Sequence, residues 1–77
     1  MDNQNLFQLF ERTLKNCHFY QKEGLKNNLL NEIGCLRGIF YCIESMHMVD
    51  MLDSFMYDEF IYFITNYQNK MLIDVTK

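Results

Sequence analysis

The stretch "LLNEIGCLRGIFYCI", residues 29–43, places Leu29, Ile33, Leu36, Phe40 and Ile43 at successive spacings of 4, 3, 4 and 3. Residues three and four apart share one face of an α-helix, so this stretch reads as a helix with a coiled-coil-like apolar seam. Phe40 is expected in the middle of the core. The same stretch carries Gly34 and Gly38, which at about 100° per residue fall almost opposite the seam. A glycine inside a helix costs about 0.5–1 kcal/mol relative to alanine, so two of them on a merely solvated face are an unforced loss. With Asn27, Asn31 and Ser45 they form a stripe of small side chains flanked by Cys35 and Cys42. Such a stripe lets a second backbone approach closely. The expectation is a homo-oligomer whose interface includes Gly34, Gly38, Cys42 and Ser45.

The chain as a whole has no Pro and only three Gly, and no strand-like alternation persists beyond a few residues. The fold class is all-α: a small three-helix bundle, or a helical hairpin plus a third helix, forming one domain over residues 1–77. Helix 1 is expected over about residues 5–22, with Asp2 or Asn3 as its N-cap and Leu6, Phe7, Phe10, Leu14 and Cys17 on its inner face. Gly24 suits the left-handed position just past a helix end, and Leu25 falls where a Schellman motif seeks an apolar contact with Tyr20. Helix 2 is expected over about 26–46. His47 continues its seam, and its ring is expected at the end of the core with one nitrogen bonded to a backbone carbonyl. Residues 47–54, "HMVDMLDS", read as a connection with Asp50, Asp53 or Ser54 available to cap helix 3, expected over about 55–70. Its inner face holds Met56, Phe60, Phe63, Ile64, Tyr67 and Met71, and the tail "IDVTK" is expected to fray. Glu32, on the apolar side of helix 2, is expected to pair with Arg12 or Lys15. No internal repeat of the roughly 34-residue tetratricopeptide period recurs.

Composition narrows the function classes. At 77 residues, 49% of them hydrophobic and 16% aromatic, the chain is too apolar for disorder and short enough for assembly to add stability. A net charge of −3 lacks the clustered basic side chains that phosphate binding draws on, so nucleic acid is an unfavoured partner. The charge is uneven: residues 1–38 hold five basic and four acidic side chains, residues 39–77 two basic and six acidic. Three cysteines without a C-x-x-C pair, and no secretory leader pattern, lead to the expectation of a reducing cytoplasm. No apolar run approaches the roughly 18 residues of a membrane span. Ala, Pro and Trp are absent while Asn, Ile, Phe and Tyr abound. AT-rich coding produces that skew, which suits a low-GC bacterium or its phage and, for a phage protein, the bacterial host cytoplasm.

No catalytic signature is present. Cys17, Cys35, Cys42, His18 and His47 are the soft ligand candidates, and their spacing does not resemble a zinc site. "GCLRG" lacks the strand and the lysine of a phosphate-binding loop. Neither metal nor cofactor is therefore expected, and the chain reads as non-enzymatic. Phe55 and Tyr62 project away from the inner face of helix 3 and with Asp58 and Glu59 form an acidic, aromatic patch, and aromatic side chains are enriched in protein interfaces. The leading expectation is a small protein that binds and inhibits or regulates another protein through this patch, as a phage-encoded accessory or anti-defence factor would. The competing expectation is an oligomeric module holding a nucleotide-like anion at Arg37 and Tyr41 beside Gly34 and Gly38, because the arginine fork suits such anions.

Overall fold

A computed structural model describes residues 3–76, with side chains described for residues 5–67. Three α-helices follow one another, α1 (Asn3–Glu23), α2 (Lys26–Ser45) and α3 (Ser54–Thr76), with a short 3₁₀ turn, Val49–Met51, between α2 and α3. No strand occurs among the described residues. The helix-period seams thus produce the all-helical class they predict. The hairpin of α1 and α2 is the principal packing unit, and α3 lies against both of its members. None of these helices is long and apolar enough to cross a membrane.

The core follows the seams. Leu6, Phe10, Leu14 and Cys17 of α1 meet Leu29, Ile33, Leu36 and Ile43 of α2, all of them buried. Phe60 and Phe63 complete the cluster from α3. Full burial of such side chains stabilises by about 1.5–3 kcal/mol each. The third helix docks through rings: Phe60 stacks on Phe40 at 4.3 Å between centroids and meets Phe10 at 5.7 Å. Phe40 itself is only half-buried, because α3 covers one side of its ring and leaves the other over an open groove. Phe7, Met56, Ile64 and Tyr67 likewise pack at the margin of the core rather than inside it. The side chain of Met71 lies outside the described residues, as does Asp2; α1 already includes Asn3 and α3 continues through Asp74 to Thr76, so neither the Asn3 cap nor the frayed tail matches.

Both helix-ending turns are Schellman arrangements. At the end of α1, Gly24 takes φ 73°. The Leu25 N–H donates to the Tyr20 carbonyl at 2.9 Å and the Gly24 N–H to that of Gln21 at 3.2 Å, the paired pattern that satisfies orphan carbonyls. At the end of α2, His47 takes the left-handed position with φ 57°. There the Met48 N–H reaches the Ile43 carbonyl at 3.1 Å and the His47 N–H that of Glu44 at 3.0 Å. His47 therefore ends the helix and is exposed; it does not extend the seam into the core. Met48 and Leu52 are buried in its place, only 7% and 8% exposed.

Of the three cap candidates, Asp53 is the one used. Its Oδ1 accepts the N–H groups of Phe55 at 2.9 Å and Met56 at 3.2 Å, which anchors the start of α3. Glu32 also differs from expectation, accepting a hydrogen bond from Asn16 Nδ2 at 2.8 Å. Lys15 instead lies 3.6 Å from Glu11 on its own helix. A short amide reaches Glu32 directly across the hairpin, and the long cation keeps its charge in water.

Candidate functional site

The four α3 residues of the acidic, aromatic patch converge because positions i, i+3, i+4 and i+7 share a helix face. Phe55 is 68% exposed and Tyr62 46%, and Asp58 and Glu59 lie between them. Opposite them stand His18 and Gln21 of α1, and the six side chains line a groove of about 430 Å3. The groove runs on into a second hollow of about 240 Å3, bounded by Glu11, Leu14, Lys15 and Met56 and sharing His18, Phe55 and Glu59. The concavity therefore lies between α1 and α3. Sequence reasoning finds the α3 wall and misses the α1 wall.

Two contacts set the shape of the groove. The His18 Nε2–H donates to Glu59 Oε2 at 2.6 Å, and the imidazole meets the Phe63 ring edge-on at 4.9 Å. Gln21 Nε2 donates to the Tyr62 hydroxyl at 2.9 Å and to the Tyr67 hydroxyl at 2.8 Å. Tyr62 also packs in T-shaped fashion on Phe63 at 5.2 Å. The Tyr62 ring is thus fixed on two sides, and the Glu59 carboxylate is drawn toward α1. Asp58 makes no hydrogen bond or ion pair among the described residues, and its carboxylate faces solvent at the groove. One signal for the α1 wall does exist in the sequence. Gln21 continues the Phe10, Leu14, Cys17 spacing by four residues, and an amide on an apolar stripe needs polar partners.

The residues around the glycines line a separate groove, formed by α2 and Phe60 of α3. Gly34, Arg37, Gly38, Tyr41 and Glu44 line it with Phe40 and Phe60, and its volume is about 390 Å3. Among the described residues nothing lies within 4 Å of where a side-chain carbon at Gly34 or Gly38 would stand, so none of them uses the close approach the glycines allow. Arg37 has no ion-pair partner among the described residues. Glu44 brings a carboxylate into the same groove, which opposes an anionic ligand. Ser45 turns its hydroxyl back to the Tyr41 carbonyl at 2.8 Å, and Cys35 and Cys42 are exposed.

Cys17 is chemically quiet. Burial, with smaller contributions from Glu32 and Cys35, pushes its thiol up from 9.0 to about 12. The nucleophilic thiolate is therefore suppressed at neutral pH. Among the described residues, no three His, Cys, Asp or Glu side chains converge as metal ligands. Compared with protein-family models, with curated proteins and with solved structures, the chain matches none of them.

Proposed function

We propose that this chain is a small non-catalytic helical protein that binds another protein through the groove between α1 and α3, and inhibits or regulates it. The observation that carries this reading is the groove itself. An exposed Phe55 and a braced Tyr62 flank two carboxylates over a concave surface of about 430 Å3. Aromatic anchors at the centre of an interface dominate its energetics, and an exposed aromatic at a groove is a ready anchor. The amino-acid skew toward Asn, Ile, Phe and Tyr suits a phage-encoded accessory or anti-defence factor acting in a host cytoplasm.

The outer stripe of α2 supports a second element of the proposal, a homo-oligomer assembled over Gly34, Gly38, Cys42 and Ser45. The open space at both glycines favours it. Light scattering of the wild type at micromolar concentration tests this element, and a monomer there removes it. A competing reading, an anion-binding module at Arg37 and Tyr41, is favoured by a guanidinium without an ion-pair partner among the described residues and opposed by Glu44 beside it.

The deciding experiment captures partners from a lysate of the cells that express the protein, with the Phe55→Ala/Tyr62→Ala double variant as control. A partner retained by the wild type and lost by the double variant, with helicity unchanged, supports the groove. A thermal-shift response to nucleotides that Arg37→Ala abolishes, with capture unaffected by the double variant, replaces it with the anion-binding reading.

A further inference from the structure

Resting on the protein-binding reading of the α1–α3 groove, we propose that its occupant is an arginine-bearing segment of the partner, with the guanidinium seated along α3 between Phe55 and Tyr62 on the Asp58 carboxylate. Seven residues of helix set the two rings about 10 Å apart along the axis. The interval holds Asp58 and Glu59, so the order along the face is ring, carboxylates, ring. A cation is attracted by the face of an aromatic ring and by a carboxylate, and this face offers both within the reach of one side chain.

The charges choose the sign of the occupant. Within the groove and its extension, Lys15 is drawn to Glu11 and His18 is bonded to Glu59. Among the described residues Asp58 is left without a partner. An acidic segment would meet like charge there. An apolar segment would bury the Asp58 carboxylate unpaired, which is strongly unfavourable. A cationic segment satisfies it. Between the two basic side chains, arginine fits better than lysine: its planar fork accepts a carboxylate in its plane and offers flat faces to rings, whereas an ammonium is a strongly hydrated point charge. Gln21 holds Tyr62 in place before any partner arrives, and a preorganised wall loses less freedom on binding.

The test uses a capped nonapeptide, GSGRGRGSG, and versions in which citrulline, lysine or glutamate replaces arginine. Binding to the full chain is followed by amide chemical shifts at 150 mM NaCl. The expected result is saturable binding that perturbs residues 55–62, weakened at least tenfold by citrulline and at least fivefold by Asp58→Asn. Glu44→Gln and Arg37→Ala, on the other groove, leave the affinity unchanged. Asp58 is exposed, so Asp58→Asn keeps the fold, and circular dichroism verifies it. Equal binding of the citrulline peptide, full affinity in Asp58→Asn, or shifts centred on Glu44 overturns the proposal.

A photo-crosslinking side chain at position 55 then separates the two levels. Capture of a protein from the lysate that the arginine peptide displaces and the citrulline peptide does not supports the proposal. Capture indifferent to both peptides sinks the arginine assignment and leaves the protein-binding reading standing; no capture sinks both. Assembly of the chain with itself that Asp58→Asn weakens and the arginine peptide dissolves would seat a second copy in the groove and overturn the assignment to a partner protein.

Discussion

At Gly24 and at His47 the backbone makes the same left-handed move, φ 73° and φ 57°, closed by the same pair of hydrogen bonds, yet with opposite surroundings. After Gly24 the next residue, Leu25, is 43% exposed, and no side chain caps the start of α2. After His47 the next residue, Met48, is 7% exposed, Leu52 is 8% exposed, and Asp53 caps α3. A glycine adopts this conformation without a side-chain penalty; for any other residue it is unfavourable by about 1–2 kcal/mol. The first turn is therefore held by what its own residue allows. The second is held by what its neighbours bury.

Removing the burial is expected to have the largest effect on the difference between the two turns. Leu52→Ala is expected to lower the unfolding free energy by about 2–3 kcal/mol through lost transfer and a residual cavity. Leu25→Ala should stay within about 0.5 kcal/mol. Urea denaturation of the two variants side by side measures the difference, and equal losses would show that both turns belong to the core. Next in size, Gly24→Ala forces a side chain into the left-handed region and should destabilise by about 1–2 kcal/mol although nothing lies within 4 Å of the added carbon. A neutral outcome would mean that the hairpin tolerates another backbone path.

The hairpin also carries a pH reporter in Cys17, whose thiol stands at about 12 when folded against 9.0 otherwise. Below pH 9 both states keep the proton and the contribution is complete. Above it the unfolded chain releases the proton while the folded chain holds it, so stability falls as pH rises toward 12. Between pH 8 and pH 10 the wild type should lose about 1 kcal/mol more than Cys17→Ala. Parallel pH profiles of the two would mean that Cys17 is not sealed inside the hairpin. The smallest effect sharpens the comparison from its other side. His47→Gly relieves the left-handed penalty and should raise stability by about 0.5–1 kcal/mol, read as an upward shift of the thermal midpoint.

The same contrast explains which parts of the structure are legible in the sequence. The seams of α1 and α2 and the break at Gly24 follow from apolar spacing and from a residue with an unusual backbone preference. His47 does not, because it lies four residues past Ile43 and periodicity runs on regardless of whether the backbone does. No glycine or proline marks the stop. Met48 and Leu52 enter the core only because that stop redirects the chain. At the candidate site, Phe55, Asp58, Glu59 and Tyr62 are legible because one helix brings them together. His18 and Gln21 reach the same groove from another helix; spacing marks Gln21 as an amide in need of polar partners, but nothing within either segment records how α3 docks on α1. Phe40 falls between these cases: its place on the seam is legible, and its half-exposure depends on how far α3 extends over it.

The left-handed histidine also has a consequence in time. Two adjacent helices joined at Gly24 need only a short loop to close, and such local contacts form early in folding. The His47 turn gains its support only when Met48 and Leu52 are buried, and this burial is expected to follow closure of the hairpin and to fall after the barrier. Stabilisation that arrives after the barrier acts on the unfolding rate and leaves the folding rate alone. Gly24→Ala should therefore slow refolding, whereas His47→Gly should slow unfolding with refolding unchanged, a pair of opposite chevron arms readable by stopped-flow. A turn that looks like an imperfection of the native state would then set how long each folded molecule lasts.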